Sequence, residues 1–322
     1  MITIFAMPKA FRGHIAVIQG NAIRSWTLLA PDVEVILFGD EEGTAGFSRE
    51  VGVHHEPQIA RNEFDAPLLN DLFERAQGLA RHEIVSYCNA DIILTADFVG
   101  AAKQVAAWRK EFLMVGRRWD LSITEPVDFK LPEWQPQLKS LAIETGMPRT
   151  PEWIDYFVFP RGLYQNLPPL AIGRRWWDNW LIWKLHAEGI PVVDASQAVI
   201  AIHQNHGYAH HPLGKEGVLF AEEPRRNFEL CGGWNHLYTM DDATHALGPH
   251  GIHPRRYYKL APARRVLSRR WESFKALGRV HVKHPILDFT RPWRQRLGLR
   301  KGSLSNTGDP RAAISPRSRD GK

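Results

Sequence analysis

The stretch from residue 83 to residue 94 constrains the fold of this chain more than any other. It reads EIVSYCNADIIL, so an apolar run rich in β-branched and aromatic residues meets Asn89 and Asp91 and then resumes. A continuous apolar run of this kind is typical of a central strand in a sheet that is covered on both faces. The pattern therefore predicts an α/β fold in which the residues before Asn89 form a buried strand.

Asn89 and Asp91 are spaced to act together. Residues at i and i+2 of an extended chain lie on the same side, and open α/β sheets bind their ligands at the carboxyl ends of their strands. An amide oxygen and a carboxylate suit Mg²⁺ or Mn²⁺, which keep waters and phosphate oxygens as further ligands. The alternative is that the two side chains only cap the turn that follows.

The rest of the pattern alternates strands with helices. Right-handed crossovers between parallel strands would place the ends of strands one, two and four along one crevice. The alternation predicts a doubly wound, mostly parallel sheet, with residues 118–150 as a long excursion over the active face. We expect strands at 2–7, 33–38, 51–54, 84–88, 112–116, 153–160, 192–194 and 198–202, and helices at 15–30, 67–80, 97–110 and 174–185.

Composition excludes several classes of protein. The two cysteines, Cys88 and Cys231, form neither a disulfide framework nor a CxxC metal motif. No apolar run reaches the roughly 20 residues that a membrane span needs, and the amino terminus lacks the charged start of a signal peptide. We therefore expect a cytoplasmic protein that contacts a membrane, if at all, only peripherally.

Charge divides the chain into an acidic body and a basic tail. Residues 255–322 carry 19 Lys/Arg against 4 Asp/Glu, a net charge of +15, which leaves −9 for residues 1–254 out of a total of +6. The segment 255–302 is predicted to be a basic amphipathic helix, and 303–322 a disordered tail. The basic helix could bind an anionic membrane surface on the inner face of the plasma membrane, or dock on the body. Nucleic acid is the disfavoured partner, because no nucleic-acid-binding signature accompanies the charge.

Four stretches, in order over residues 1–210, resemble the GT-A-fold glycosyltransferases, in particular the family 2-like nucleotide-sugar transferases. They are FGDEEG at 38–43, LND at 69–71, NAD at 89–91 and WDN at 177–179. Two positions depart from the family pattern. Asn89 stands where the first acid of the Asp-x-Asp metal motif is usual, and Asn179 follows the carboxylate of Asp178 where the family has an acid before it.

The resemblance implies a glycosyltransferase that uses a nucleotide-sugar donor and a Mn²⁺ or Mg²⁺ cofactor. It assigns Asp40, Asp71 and Asn89 to the nucleotide, Asp91, Asn89 and His203 to the metal, and Asp178 to the catalytic base. It further implies a GT-A-like catalytic domain at 1–215, with 216–254 as the last part of the acceptor cleft or a linker. The acceptor would be a glycan, a polysaccharide or a lipid-linked sugar. Because an acceptor hydroxyl that is activated directly by the base attacks from the face opposite the leaving group, we expect inversion at the anomeric carbon.

Several of these roles have simpler alternatives. Asp178 could instead complement the dipole at the start of its helix. His203 could instead be a histidine at the end of a strand whose ring nitrogens form hydrogen bonds with the backbone. The tryptophans around Asp178 favour the catalytic role, with Trp176 or Trp177 stacking on a sugar. Asp155 is a second candidate for holding an acceptor hydroxyl.

Three other functions compete with this interpretation. His203, His206, His210 and His211 could form the metal site of a hydrolase, although Gly207 makes the segment a loop and the last three fit the rim of the acceptor cleft better. A nucleotidyltransferase would have a Gly-rich basic loop after strand one, whereas residues 8–13 contain a single glycine. A nucleotide- or sugar-binding module without activity is favoured only by Asn89.

Overall fold

The computed structural model describes residues 2–29, 33–207 and 222–255 of the chain. Helices alternate with strands through most of this part, as the sequence predicts. The helices are α1 (Gly13–Thr27), α2 (Thr44–Val51), α3 (Leu69–Leu79), α4 (Ala96–Trp108), α5 (Trp134–Thr145), α6 (Trp177–Ala187) and α7 (Glu222–Leu230). The strands are β1 (Ile2–Ala6), β2 (Glu34–Phe38), β3 (His54–Glu56), β4 (Ile84–Cys88), β5 (Ile92–Ile93), β6 (Leu113–Val115), β7 (Arg118–Leu121), β8 (Met147–Pro148), β9 (Tyr156–Pro160), β10 (Val192–Asp194), β11 (Ala201–Gln204), β12 (His245–Gly248) and β13 (Gly251–Pro254).

The main sheet has nine strands in the order β13-β12-β10-β6-β9-β4-β1-β2-β3. Pairing is parallel from β3 through β2 and β1 to β4, and again among β6, β10 and β12. Strand β9 runs antiparallel between β4 and β6, and β13 runs antiparallel on β12 at the edge. The predicted mostly parallel α/β sheet is therefore confirmed.

Side chains of the main sheet face two cores, one on each face. Along β1, Phe5 belongs to the core that includes α3 and α6, whereas its neighbour Ile4 belongs to the core that includes α1 and α4. Successive side chains of a strand point to opposite faces, so a strand covered on both faces carries no polar side. This is why the strand before Asn89 is apolar apart from Ser86, which is small and fully buried.

A second, smaller sheet has the strand order β5-β11-β7-β8. Strand β5 follows β4 after a three-residue turn, but it pairs with β11 and not with the main sheet. Helix α5 covers this sheet with a small core of its own, formed by Ile93, Leu121, Trp134, Ala142 and Ile202. The apolar residues on either side of Asp91 therefore belong to two different sheets.

Three local predictions differ from the structure. Residues 118–150 contain β7, α5 and β8, whose apolar positions are too few to show a clear period. Residues 44–51 form α2, which is bounded by Gly43 and Gly52, both with a left-handed φ. The strand predicted at 51–54 starts only at His54. Phe47 of α2 stacks on Phe11 at 4.7 Å, a tertiary contact that no local pattern shows. The strand predicted at 198–202 lies at 201–204, so His203 is inside it.

The carboxyl-terminal part of the described chain joins the body. Strands β12 and β13 extend the main sheet, and the guanidinium of Arg255 lies 3.4 Å from Asp194. Apart from Arg255, the predicted basic helix at 255–302 and the tail at 303–322 lie outside the described residues. Among the helices that are described, none is both long and apolar enough to cross a bilayer.

Candidate active site

Asp91 lies in the turn between β4 and β5, at the carboxyl end of the central strand. The turn is fixed by the N–H of Ile92, which donates to the carbonyl of Asn89 at 3.1 Å. Gln204 donates to the carbonyl of Asp91 through its side-chain amide at 3.1 Å. The Asp91 side chain is 14% exposed, and within the described residues its buried Oδ1 has no hydrogen-bond partner. A buried carboxylate oxygen is costly unless a donor or a cation takes it.

Two histidines converge on the Asp91 carboxylate. Nε2 of His206 lies 2.9 Å from Oδ2 of Asp91, and Nε2 of His203 lies 3.9 Å from the same oxygen. One ligand atom from each of the three residues lies within 4.8 Å of the others. We call Asp91, His203 and His206 the metal cluster. One carboxylate and two imidazoles suit Mn²⁺ and other first-row transition metals better than Mg²⁺.

The outer nitrogens of both imidazoles face acceptors. Nδ1 of His206 lies 2.8 Å from the carbonyl oxygen of Gly207, and Nδ1 of His203 lies 3.2 Å from Oδ1 of Asp120. The carbonyl of Gly207 only accepts, so a proton on Nδ1 suits His206, and Nε2 then meets the Asp91 carboxylate through a second proton or through a cation. The metal cluster therefore fits a divalent cation, with the outer nitrogens held as in known metal sites.

The charge of Asp91 is strongly stabilised. Burial alone would raise the pKa of Asp91, but the hydrogen bond from His206 and the charges of His203 and Lys9 together hold it well below its usual range. Lys9 follows β1, and its backbone is fixed by Gln19, whose amide accepts from the N–H at 2.6 Å and donates to the carbonyl at 2.8 Å. Burial lowers the pKa of Lys9, against the charges of Asp91 and Asp155. A lysine thus lies beside the metal cluster.

Asn89 is bound at both ends of its amide. Its Oδ1 accepts from the Tyr87 hydroxyl at 2.8 Å, and its Nδ2 donates to Oδ1 of Asp155 at 2.6 Å. Asp155 is 5% exposed, and both of its oxygens accept from Nη1 of Arg118 at 3.0 Å. Asn89 and Asp155 are therefore parts of a buried network beside the metal cluster, with their polar atoms directed at protein groups.

Asp178 lies in the first turn of α6 and is half-buried. Burial, with the nearby charge of Asp155, raises the pKa of Asp178 to about 7, although the N–H of Asn179 and the charge of Arg175 oppose the rise. The N–H of Asn179 donates to its Oδ1 at 2.9 Å, so Asp178 also satisfies one amide of the first turn. A carboxylate with a pKa near neutrality suits proton transfer at physiological pH.

The two tryptophans before Asp178 are placed differently. Trp177 is 5% exposed and packs edge-on against Tyr87 at 5.2 Å, so it lies in the core rather than on a surface where a sugar could stack. Trp176 is only partly buried and contacts Trp234 at 5.1 Å. Its φ of 89° is left-handed, a conformation that costs of order 1–3 kcal/mol in a residue other than glycine and is often found at functional sites.

The acidic turn after β2 contains the residues predicted to bind the nucleotide. Nη2 of Arg61 lies 3.1 Å from Oδ1 of Asp40 and 2.7 Å from Oε1 of Glu41. The Asp40 side chain is 76% exposed, whereas Oε2 of Glu41 is buried and, in the described part of the chain, unpaired. Asp71 accepts from the N–H of Ala60 at 2.7 Å and from Nε of Arg75 at 2.9 Å, so it fixes the preceding loop onto α3.

Sequence reasoning missed three features of this site. His206 was expected at the rim of the acceptor cleft and lies in the metal cluster, because the chain turns back toward Asp91 directly after β11. Glu41 was part of the acidic turn, but only the structure shows its unpaired oxygen. Asp120 lies in the stretch without clear periodicity, where the sequence carries no local signal of its position.

The chain is similar to solved structures of glucosyl-3-phosphoglycerate synthase from Mycobacterium tuberculosis. One, in complex with Mg²⁺ and uridine diphosphate, is 17% identical with a TM-score of 0.43, and the match covers 73% of this chain and 80% of that one. Another, with Mn²⁺, UDP-glucose and phosphoglyceric acid, is 17% identical with a TM-score of 0.45 over 73% and 80% of the chains. No protein-family model and no curated protein matches the sequence. The function proposed below rests on the geometry of the site itself.

Proposed function

We propose that this chain is a metal-dependent glycosyltransferase, which moves a sugar from a nucleotide-diphosphate sugar to a hydroxyl acceptor. The observation that carries the proposal is that the metal cluster and Asp178, a carboxyl group whose pKa is raised to about 7, both lie at the carboxyl end of β4. Asp91 follows that strand after two residues, and Trp177, the neighbour of Asp178, packs against Tyr87 of the same strand at 5.2 Å. Glycosyl transfer requires both parts, a cation for the leaving diphosphate and a base for the attacking hydroxyl.

The donor side of the crevice is formed by the metal cluster, Lys9 and the turn after β2. A bound Mn²⁺ or Mg²⁺ would offset the negative charge that develops on the leaving nucleoside diphosphate. Lys9 adds a fixed positive charge beside that position. The unpaired oxygen of Glu41 would accept a hydrogen bond from the nucleoside, with the exposed Asp40 next to it. Asp71 acts indirectly, by holding the loop that faces this turn.

Asp178 is the proposed base. As the acceptor oxygen bonds to the anomeric carbon, its proton would pass to the carboxylate of Asp178, and the bond to the diphosphate would break. The buried setting supports this role because it raises the pKa of the carboxyl group to the range in which it can both accept and release a proton. An acceptor oxygen that is deprotonated directly by the base attacks the anomeric carbon from the face opposite the nucleotide, so we propose an inverting reaction.

The acceptor side would be lined by Trp176 and by residues of the segment after residue 215. Trp176 packs on Phe228 of α7 and on Trp234, which is 49% exposed. Partly exposed aromatic rings beside a catalytic group are suited to the apolar face of a sugar ring. We therefore propose a carbohydrate acceptor, free or lipid-linked, and a contribution of Phe228 and Trp234 to its cleft. Asp155 would support this wall through Asn89 and Arg118 without contacting the acceptor.

A metal-dependent hydrolase is the second candidate. The metal cluster contains two histidines and one carboxylate, and catalytic zinc sites of hydrolases use a similar set. The two activities differ in product, since a hydrolase transfers the group to water alone. Product analysis with and without an added acceptor separates them.

The proposal is tested by a screen of UDP-, GDP-, CMP- and dTDP-sugars with and without Mn²⁺. Thermal shift first identifies the nucleotide, and a metal-dependent rise in melting temperature for one donor class is expected. Release of the nucleoside diphosphate is then measured for the wild type and for Asp91→Asn, with Asp194→Asn as a control that changes a carboxylate outside the site. Wild-type protein that binds no donor, or Asp91→Asn that turns over normally, would contradict the proposal.

A further inference from the structure

Asp120 occupies a position in the second sheet that no part of the function proposed above uses. In the parallel pairing of β7 and β11, Asp120 is the direct cross-strand partner of His203. On the other side of β11, His203 is the partner of Ile92, the residue next to Asp91. The strand register therefore places His203 and Asp120 side by side, with Asp91 one residue before the partner of His203 on its other side.

His203 lies between two carboxylates. Its Nε2 is 3.9 Å from Oδ2 of Asp91, and its Nδ1 is 3.2 Å from Oδ1 of Asp120. The contact with Asp120 has ion-pair distance but not the alignment of a hydrogen bond, which leaves the buried Nδ1 unsatisfied among the described residues. Asp120 is the acidic group on the outer side of His203.

Asp120 is held in place by two arginines. Oδ1 accepts from Nε of Arg118 at 2.9 Å, and Oδ2 accepts from Nε of Arg149. The side chain is 5% exposed. The two arginines thus hold the carboxylate in one orientation beside His203.

We propose that Asp120 is a positioning residue for the metal cluster: it accepts the Nδ1 proton of His203 and so directs the Nε2 lone pair of that ring toward a divalent cation. The inference rests on the metal site of the proposed function. Carboxylates in this relation to a ligating histidine fix its tautomer and orientation, and their loss usually lowers metal affinity by about 10–100-fold.

A purely structural role is the competing explanation, since Asp120 also neutralises Arg118 and Arg149. The affinity of the metal-free protein for Mn²⁺ distinguishes the two roles, because only a positioning residue should change it. Glu223 provides the matched control, because it is also a buried carboxylate, 6% exposed, and pairs with Arg174 at 2.7 Å, but it contacts no member of the metal cluster. Glu223→Gln removes the same charge from the same kind of ion pair.

The experiment titrates the full chain with Mn²⁺ alone and follows free Mn²⁺ by electron paramagnetic resonance. Asp120→Asn should bind Mn²⁺ about 10–100-fold more weakly than the wild type, whereas Glu223→Gln should bind as the wild type does. Equal affinity of folded Asp120→Asn and wild type would overturn the inference. Wild-type protein that binds no Mn²⁺ would instead overturn the metal site of the proposed function, and the inference with it.

A second measurement does not depend on the folding of Asp120→Asn. In ¹⁵N-histidine spectra of the metal-free wild type, the resonances of His203 are identified by their loss in His203→Gln. The neutral ring should carry its proton on Nδ1, the nitrogen that faces Asp120. A neutral His203 that carries its proton on Nε2 would contradict the inference.

Discussion

Nε2 of His206 lies 2.9 Å from Oδ2 of Asp91, although the two residues are 115 positions apart in the chain. Nδ1 of the same ring lies 2.8 Å from the carbonyl oxygen of Gly207, so both ring nitrogens face oxygen atoms. A proton or a cation must lie between Nε2 and the carboxylate for this contact to be favourable. The proposed metal site places a cation there, and this leads to the first prediction.

His206→Gln should weaken Mn²⁺ binding by more than about 100-fold, since it removes a direct ligand rather than a group behind one. Isothermal titration of the metal-free protein with MnCl₂ measures the effect. His253→Gln, which changes a histidine of β13 at the far edge of the main sheet, is the control and should bind Mn²⁺ normally. Unchanged affinity in His206→Gln would exclude this residue from the metal site.

Asp178→Asn should lower the rate of transfer by about 10²–10⁴-fold, the usual contribution of a general base, and should leave nucleotide binding intact. The base acts only when ionised, and burial raises the pKa of Asp178 to about 7. The wild-type rate should therefore rise with pH and level off above about pH 7 in a stopped assay of transfer. A wild-type rate that is flat from pH 5 to pH 9 would argue against Asp178 as the base.

The same raised pKa predicts a pH-dependent change in stability. The pKa of Asp178 is higher in the folded protein than its ordinary value of 3.8, so ionisation favours the unfolded chain. This carboxyl group stabilises the fold fully below its unfolded pKa, and that stability is lost as pH rises through the folded pKa. The melting temperature of metal-free Asp178→Asn should thus exceed that of the wild type by an amount that grows between pH 4 and pH 7. A difference that shrinks over this range would contradict the buried placement of the carboxyl group.

Tyr87→Phe should destabilise the protein by about 1–3 kcal/mol, because it leaves the buried Oδ1 of Asn89 without its donor. Tyr156→Phe is the matched control. The hydroxyl of Tyr156 is also buried but has no hydrogen-bond partner in the described part of the chain, so its removal should be neutral or stabilising. Urea unfolding of both variants makes the comparison. Equal losses in the two would show that the bond between Tyr87 and Asn89 adds nothing.

Trp177→Ala and Trp176→Ala should have different effects. Trp177 is a core residue, and its truncation should cost about 3–5 kcal/mol of stability. Trp176 is placed at the acceptor side, so its truncation should raise the KM for the acceptor and leave hydrolysis of the donor in water unchanged. Melting temperatures and steady-state kinetics distinguish the two. If Trp176→Ala unfolded the protein, Trp176 would be a core residue, and its proposed place on the acceptor side would be wrong.

The parts of this structure that the sequence predicts depend on local pattern. The strand before Asn89 is buried on both faces, so its apolar sequence predicts it. The position of Asp91 after that strand predicts a ligand site at the carboxyl end of the sheet. The alternation of strands and helices predicted the mostly parallel main sheet. The hydrogen bond from Asn89 to Asp155 cannot be predicted from the sequence, because it depends on the antiparallel pairing of β9 with β4.

The parts that could not be predicted depend on contacts between distant segments. Asp120 and His203 become neighbours only through the register of β7 and β11, and no short pattern encodes that pairing. Trp176 and Trp177 stand at the start of α6, which is apolar on most sides, so its phase does not show which ring faces the core. Phe47 of α2 stacks on Phe11, a contact between separate segments that the local sequence does not show. Packing decided each of these cases.

Anomalous diffraction at the manganese edge, from crystals soaked with MnCl₂ and a nucleoside diphosphate, tests the proposed metal site most directly. The expected result is one strong peak within bonding distance of Oδ1 of Asp91 and of Nε2 of His203 and His206, with the diphosphate on its open side. A manganese peak that contacts none of these three residues, with the nucleotide bound elsewhere, would contradict the proposed function.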